Sequence, residues 1–194
     1  MGIAEQIIQR VNKLGVSASA DKRLIIAIDG RCASGKTTLA NKLHEAVGWS
    51  VFHMDDFFLR PEQRTAERLN TPGENVDHER FLDEVLAPLA SGVNEIQYRP
   101  FDCRIFSLAK PVCARAEKIC VVEGCYSCHP ELWVHYGLRV FMTVDPEEQM
   151  RRIIRRNGEE KAKQFAEKWI PLEEKYFEAF DLQARCDMFC DMFF

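Results

Sequence analysis

The stretch Arg23–Leu39, RLIIAIDGRCASGKTTL, decides the fold. It begins with successive apolar residues, typical of a buried strand in a parallel sheet, and continues through a glycine-rich turn into a helix-like sequence. Within it, Gly30–Thr37 match G-x-x-x-x-G-K-T, a pattern whose backbone N–H groups and following helix N-terminus surround phosphate groups. An ordinary glycine turn is the alternative, but the position between a strand and a helix favours a phosphate-binding loop. We therefore expect the chain to bind a nucleoside triphosphate.

The same loop predicts how the nucleotide is held. Lys36 can place a positive charge on the outer phosphates, and Thr37 can place its hydroxyl on a Mg²⁺ ion. The residues expected to contact the nucleotide all belong to this loop or to the first turn of its helix. They are Gly30, Ala33, Ser34, Gly35, Lys36, Thr37 and Thr38.

Length and composition limit the classes of protein to consider. The chain has 194 residues, 46% of them apolar, and we expect residues 1–194 to form a single domain. Its net charge of −4 argues against nucleic acid or an anionic membrane as a partner. No apolar run approaches the roughly 18 residues of a membrane-spanning helix, and no signal-peptide pattern begins the chain, so a cytoplasmic location is expected. The eight cysteines are then expected to be thiols.

Strand and helix patterns alternate along the chain, which predicts an α/β fold with a mainly parallel sheet flanked by helices. Strands are expected at Leu24–Ile28, Trp49–Met54, Glu95–Tyr98, Lys118–Val122, Leu138–Val144 and Met188–Phe189. Helices are expected at Ile3–Leu14, from the phosphate loop to Val47, from Asp77 until Pro88 kinks or ends it, from Pro146 to Asn157, and through Phe165–Phe180. Loops are expected at Gly15–Asp21 and between Tyr98 and Ala116, and a long polar loop, Arg60–Val76, is expected to cover the substrate.

Asp55 and Asp56 follow the second predicted strand. In doubly wound sheets, ligands bind beyond the carboxyl ends of the strands. Phosphoryl transfer to a hydroxyl needs a carboxylate that accepts the hydroxyl proton, and Asp55 is the candidate for this role. Capping of the following turn is the alternative for Asp55 and the favoured interpretation of Asp56.

The remaining motifs indicate a small phosphotransferase, since the chain lacks the N-K-x-D element of GTP-binding switch proteins and the Ser-Gly-Gly signature of transporter ATPases. Its segments resemble, in order, those of the uridine kinase/phosphoribulokinase family, which includes pantothenate kinase and the nicotinamide riboside kinases. The segments are AIDGRCASGKTTLA, HMDDFF, NVDHERFLDEVLAPL, YRPFD, VVEGCYS and the arginine-rich helix with the polar stretch after it. The resemblance covers most of the chain. It implies a P-loop NTPase fold with a short arginine-rich lid at about 151–165, and an ATP- and Mg²⁺-dependent kinase with a small-molecule substrate.

The resemblance also implies roles for single residues. Asp55 matches the general base of the family, and Glu123 is implied to hold Mg²⁺, directly or through water, together with Thr37. Asp55 is a further metal candidate. Arg152 and Arg156 match the lid and are implied to offset charge on the transferring phosphoryl group, with a solvated helix face as the alternative.

The acceptor is less closely defined. Family members that phosphorylate uridine or cytidine contact the base with a tyrosine and a histidine where this chain has Phe101 and Phe106, so uridine phosphorylation in that mode is disfavoured. Asp77 matches a position that binds substrate hydroxyls, and a helix N-cap is a compatible alternative. Arg99 and Phe101 are further candidate substrate contacts, and a salt-bridged loop explains Arg99 equally well. We expect a nucleoside or nucleoside-like acceptor, with pantothenate, a sugar phosphate or glycerate as alternatives and a non-catalytic nucleotide-binding regulator as the rival. ATP or GTP as donor, and assembly into a homo-oligomer, stay open.

The cysteines suggest two further sites. Cys125–His129 spell C-x-x-C-H, a haem-attachment string, but the segment overlaps the kinase motif and no export signal is present. A zinc site made of Cys120, Cys125, Cys128 and His129 is a minor alternative. Cys32 lies in the phosphate loop near Lys36 and a helix N-terminus, both of which lower a thiol pKa. We therefore expect alkylation of Cys32 to block nucleotide binding.

Overall fold

A computed structural model describes residues 1–15 and 23–191. The strands are β1 Leu24–Gly30, β2 Ser50–His53, β3 Glu95–Tyr98, β4 Phe101–Asp102, β5 Ser107–Leu108, β6 Val112–Arg115, β7 Ile119–Glu123, β8 Leu138–Thr143 and β9 Met188–Asp191. The α-helices are α1 Ile3–Lys13, α2 Lys36–Val47, α3 Ala66–Asn70, α4 His78–Phe81, α5 Ala87–Ala90, α6 Pro146–Asn157, α7 Glu159–Gln164, α8 Ile170–Ala179 and α9 Leu182–Arg185. Short 3₁₀ turns lie at Met54–Phe57, Pro61–Gln63 and Trp133–His135, and π-helical turns at Leu82–Leu86 and Phe165–Trp169.

The central sheet has five parallel strands in the order β2-β7-β1-β8-β9. This confirms the α/β fold with a parallel sheet. In the register of the sheet, Glu123 at the end of β7 is paired with Ile28 of β1 and with His53 of β2. Because the strands are parallel, their carboxyl ends meet at one edge, where the phosphate loop and the 3₁₀ turn after β2 also begin.

Helices cover both faces of this sheet, and alternate residues of β1 face opposite sides. Ile26 and Ile28 belong to an apolar cluster with Ile7 and Val11 of α1 and with apolar residues of α2. Ile25 and Ala27 belong to a second cluster, with side chains of the helical run from α4 to α5 and of α8. Burial on both faces explains why the central strands are apolar at successive positions. Among the described helices, none combines the length and the apolar composition that crossing a bilayer requires.

The predicted elements differ from the structure in three places, one of which is the expected loop Arg60–Val76, which contains the short helix α3. The segment from Tyr98 to Ala116 was expected to be irregular, but it forms β4, β5 and β6, with β6 antiparallel to β3. These strands have two to four residues, too few for a clear alternation of polar and apolar side chains. The second strand ends at His53, so Asp55 lies on a 3₁₀ turn. The loop expected at Gly15–Asp21 lies, apart from Gly15, outside the described residues.

Pro88 neither kinks the helix sharply nor ends it at once. The helical run passes from α4 through the π-helical turn Leu82–Leu86 into α5, where Pro88 lies in the first turn, and α5 ends at Ala90. Proline has no N–H to donate to the preceding turn, and the wider π turn lies where that hydrogen bond would be lost. The structure therefore shows a local change of helix type just before Pro88, and the helical run ends at Ala90, soon after it.

Candidate functional site

The phosphate loop has a backbone that depends on two glycines. Gly30 has φ +125° and lies against the backbone of Met142 on β8, where a side chain would collide. Gly35 has φ +98° and immediately precedes α2. Left-handed angles of this kind favour glycine, and they turn the chain so that the N-terminus of a 12-residue helix faces the loop. The loop therefore has the shape of an anion-binding nest.

Lys36 is folded back onto the loop that contains it. Its Nζ donates hydrogen bonds to the carbonyl oxygens of Gly30, at 2.8 Å, and of Arg31, at 2.9 Å. Burial by itself lowers the pKa of Lys36, but Cys125, Glu173, Asp29 and Asp55 raise it, and the net pKa is above the ordinary value. The loop therefore contains a fixed positive charge at its base.

Thr37, Glu123 and His53 form a hydrogen-bonded group at the carboxyl edge of the sheet. The Thr37 hydroxyl donates to Glu123 Oε1 at 3.1 Å, and His53 Nδ1 lies 2.6 Å from the same oxygen. Glu123 is 4% exposed, and its hydrogen bond raises the pKa of His53. Hydroxyl and carboxylate oxygens are the donors that Mg²⁺ prefers. The pair Thr37 and Glu123 therefore fits a magnesium ion at the mouth of the loop.

Asp55 lies beside this group. Its 3₁₀ turn follows β2 and packs closely on Gly124 after β7: a Cβ on Gly124 would stand 2.8 Å from the Met54 Cβ and 3.5 Å from Asp55 Oδ1. Desolvation by the surrounding protein raises the pKa of Asp55, as does Glu123, and these effects outweigh the opposing charge of Lys36. A carboxylate with a raised pKa beside a phosphate-binding loop is a good proton acceptor for an alcohol.

A single large cavity joins these groups. Its volume is about 1520 Å³, and it is lined by the phosphate loop, by the group at the sheet edge and by the helix predicted as a lid. Of the predicted catalytic, nucleotide and metal residues, it brings together Ala33, Gly35, Lys36, Thr37, Thr38, Asp55, Glu123, Arg152 and Arg156. Gly30 and Ser34 are not among its lining residues, because Gly30 packs on β8 and Ser34 is fully buried.

The two lid arginines reach the cavity from α6. Arg152 donates from Nη1 to the carbonyl oxygen of Ala33 at 3.2 Å and from Nε to Glu148 at 2.7 Å. Arg156 donates to Asn157 Oδ1 at 2.8 Å and acts electrostatically on Asp55. The helix ends at Gly158, which has φ +81°. Both guanidinium groups are thus available at the side of the phosphate loop.

The structure does not bring three predicted substrate residues to the cavity. Asp77 is 1% exposed, caps α4 by accepting from the N–H of Arg80, and lies 3.6 Å from Arg60 Nε. Arg99 donates to the carbonyl oxygens of Ala109 and Leu108. The N-cap interpretation of Asp77 is confirmed. Its carboxylate contacts Arg60 and Arg80, and the Arg99 guanidinium is hydrogen-bonded to backbone carbonyl groups of residues 108 and 109. Phe101 is buried beneath Phe106, which does line the cavity.

The expectation of an activated Cys32 is wrong. Burial raises the pKa of the Cys32 thiol to about 12, and the charge of Glu173 acts in the same direction, outweighing Lys36. The Cys32 N–H donates to Glu173 Oε2 at 2.9 Å. Glu173 lies on α8, far along the chain, so the loop sequence alone gave no sign of it. A raised pKa leaves less thiolate at neutral pH, so these surroundings lower the reactivity of the Cys32 thiol.

Two site residues were missed from the sequence. Asp29 is fully buried and accepts hydrogen bonds from the N–H groups of Gly30, Tyr126 and Cys128 and from the Tyr176 hydroxyl. The only available signal was an acidic residue in an otherwise apolar strand. Glu173 is 5% exposed and lines the cavity, and burial raises its pKa to about 7.

All eight cysteines are free thiols, as expected. The zinc site suggested for the C-x-x-C-H segment is not formed among the described residues. His129 instead approaches Glu74 and His78, a group of three whose ligand atoms lie within 4.8 Å of one another. The imidazole rings of His78 and His129 are stacked face to face, with centroids 3.9 Å apart. The stacking of the two rings accounts for His78 and His129 as packing partners.

Comparison with known proteins gave matches to solved structures. No protein-family model matches the sequence, and no curated protein matches it. A possible uridine kinase from Bacillus stearothermophilus is 22% identical with a TM-score of 0.64, over 96% of this chain and 98% of that chain. A candidate fructose transport system kinase from Silicibacter sp. TM1040 is 19% identical with a TM-score of 0.73, over 97% and 98%. YFH7 from Saccharomyces cerevisiae, a candidate P-loop kinase with a circular permutation, is 12% identical with a TM-score of 0.67, over 98% and 99%. The chain therefore has the fold of these P-loop proteins.

Proposed function

We propose that the protein is an ATP- and Mg²⁺-dependent kinase that transfers the γ-phosphate to a hydroxyl of a small metabolite. The observation that carries this proposal is the shared cavity of Asp55, Lys36 and the Thr37–Glu123 pair. Phosphoryl transfer needs a cradle for the triphosphate, charge neutralisation and a carboxylate for the acceptor proton, and these residues supply all of them. The names of the structural neighbours, which refer to kinases of uridine and of a fructose transport system, agree with this class of reaction.

Each residue then has a defined task. The N–H groups of the loop bind the phosphate oxygens, and Lys36 holds a positive charge against the outer phosphates. Thr37 and Glu123 would hold Mg²⁺, which when bound neutralises charge on the triphosphate. Asp55 accepts the hydroxyl proton as the acceptor oxygen bonds to phosphorus, and the bond from phosphorus to the ADP oxygen breaks. Arg152 and Arg156 offset the negative charge on the transferring group.

The acceptor class rests on the family resemblance and stays part of the proposal. A nucleoside or nucleoside-like alcohol is the first candidate, and pantothenate, a sugar phosphate or glycerate are the alternatives. The absence of polar groups at Phe101 and Phe106 weakens the case for uridine bound in the usual mode. A regulator that binds nucleotide without turnover is the rival from another class.

Replacing Asp55 with Asn separates an enzyme from a regulator. The amide keeps the size of the side chain but cannot accept the proton, so turnover should fall by at least about 100-fold while ATP binding is kept. The measurements are ADP release across a panel of alcohols and ATP binding by calorimetry.

Asp56→Asn is the matched control. Asp56 is the next residue, accepts a hydrogen bond from the Tyr98 hydroxyl and does not line the cavity. Its turnover should stay within a few-fold of the wild type. Equal turnover in the wild type and Asp55→Asn would contradict the proposed role of Asp55, and ATP binding with no turnover on any alcohol would favour the regulator.

A further inference from the structure

Four arginines lie in the segment that runs from the end of β2 through α3 to α4, and one of them differs from the others in its partners. Arg60 lies 3.6 Å from Asp77, Arg68 2.6 Å from Glu79 and Arg80 3.3 Å from Asp77. Arg64 forms no ion pair with any described carboxylate. It donates from Nε to the carbonyl oxygen of Leu59 at 2.9 Å, which leaves both terminal nitrogens for another partner.

Aromatic side chains fix the position of this guanidinium. The Arg64 Cζ lies 4.5 Å from the ring centroid of Phe106 and 5.6 Å from that of Phe101. The two rings pack edge to face, with centroids 5.6 Å apart. Phe106 has φ +54°, an unfavourable angle for a bulky residue, and lies in the turn that joins β4 to β5. Strain of this kind is often found where a side chain is held for a ligand, and here it places Phe106 under Arg64.

Arg64 and Phe106 line the same cavity as Asp55. Cys103, which lies in the same turn as Phe106, lines this cavity as well. Lys36, Arg152 and Arg156 already provide the positive charge for the triphosphate on the phosphate-loop side. Arg64 is thus a further cation of this cavity, without an ion pair among the described carboxylates and free to bind another group.

We propose that Arg64 binds an anionic group, a phosphate or a carboxylate, on the acceptor alcohol. Its two free nitrogens match the two oxygens of such a group, and Phe106 holds the guanidinium plane in place. This inference rests on the proposed kinase function and deepens it. It favours a phosphorylated sugar or a carboxylated alcohol over a neutral nucleoside as the substrate class.

The test uses pairs of alcohols that differ in one anionic group: ribose and ribose 5-phosphate, glycerol and glycerate, panthenol and pantothenate. ADP release is measured for the wild type, Arg64→Gln and Arg64→Lys. We expect the wild type to prefer one anionic member over its neutral partner by at least tenfold in kcat/KM. Arg64→Gln should raise the KM of that compound at least tenfold with little change in kcat or in the KM of ATP, and Arg64→Lys should recover part of the loss.

Arg104→Gln is the charge-matched control. Arg104 lies in the β4–β5 turn that contains Phe106, but it is exposed and pairs with Asp102. This variant should leave the preference unchanged. Thermal melting of each variant shows whether folding is retained. A preference for the neutral members, or an Arg64→Gln variant that behaves like Arg104→Gln, would overturn the inference.

Calorimetry with the same pairs separates this inference from the proposed function. If no alcohol releases ADP but an anionic member binds the wild type and not Arg64→Gln, the anion site stands and the kinase function fails. If ADP is released and Arg64 has no effect, the kinase function stands and the anion site fails. If no compound binds and none releases ADP, both are contradicted.

Discussion

At the scale of single residues, Asp29 connects the phosphate loop to the rest of the fold. Its buried carboxylate accepts from the first residue of the loop, from two N–H groups after β7 and from Tyr176 on α8. Burial raises its pKa, and the hydrogen bonds oppose this rise. These contacts position the loop, the segment after Glu123 and α8 relative to one another.

Replacing Asp29 with Asn should therefore destabilise the protein. The amide has one accepting oxygen, and its NH₂ group would face an N–H donor, so we expect a loss of about 1–3 kcal/mol in the free energy of unfolding. Urea denaturation measures this.

The control is Asp187→Asn, since Asp187 also accepts from a backbone N–H, that of Arg139, but at a partly exposed position. It should cost less than half as much. An Asp29→Asn variant as stable as the wild type would show that the four hydrogen bonds are not needed for the fold.

The sequence predicted the residues that form local motifs and missed those brought in from far along the chain. Lys36, Thr37 and Asp55 follow from a loop pattern and a strand end, because those local features fix their place. Glu173 and Arg64 carry no such pattern, since their roles depend on how α8 and the long loop pack. For Asp77, the sequence position predicted the helix cap, whereas its contacts with Arg60 and Arg80 depend on packing that the sequence does not show.

At the scale of elements, α8 places an acidic side chain against the phosphate loop. The Glu173 carboxylate accepts from the Cys32 N–H, and burial raises its pKa to about 7, above the ordinary value of 4.5. A carboxyl group with a higher pKa in the folded state binds its proton more tightly when folded. Its contribution to stability is present below pH 4.5 and is lost as the pH rises to about 7.

Replacing Glu173 with Gln should remove this pH dependence. The amide can still accept from Cys32 and never ionises. Between pH 4.5 and 8, the wild type should lose up to about 3 kcal/mol of unfolding free energy that the variant keeps. Urea denaturation of both proteins at several pH values gives the comparison.

Glu174→Gln is the neighbouring control, because Glu174 is more exposed and pairs with Arg31. It should keep the pH slope of the wild type. Parallel pH profiles for the wild type and Glu173→Gln would mean that Glu173 titrates near its ordinary value.

At the scale of the whole molecule, the segments that form the central strands could be predicted in part. Apolar runs identified β1, β7 and β8. The Asp55 and Glu123 motifs indicated that the strands next to them, β2 and β7, end at one edge of the sheet. The strand β3 was predicted at its observed bounds, but its partner β6 and the hairpin of β4 and β5 were not, because those strands have only two to four residues. Helical periodicity found α1 and α6 but gave no indication of the π-helical turns at Leu82–Leu86 and Phe165–Trp169.

The distribution of thiols over the fold gives a test of the whole arrangement. Iodoacetamide should label the exposed Cys103 and Cys113 first, while Cys32 and Cys120, with pKa raised by burial to about 12, stay unmodified. Mass spectrometry of tryptic peptides at short reaction times measures the order. In concentrated urea all eight cysteines should react at similar rates. Labelling of Cys32 as fast as Cys113 in the folded protein would contradict the burial of the loop thiol.

The hydrogen bonds from Lys36 to the Gly30 and Arg31 carbonyl oxygens have a consequence for ligand capture. These hydrogen bonds close a ring of chain around the nest. A bound anion therefore does not have to order the phosphate loop. The loop therefore loses its conformational entropy when the protein folds, and not when a ligand binds. To bind the triphosphate of the proposed function, the Lys36 ammonium group would have to exchange these carbonyl oxygens for phosphate oxygens.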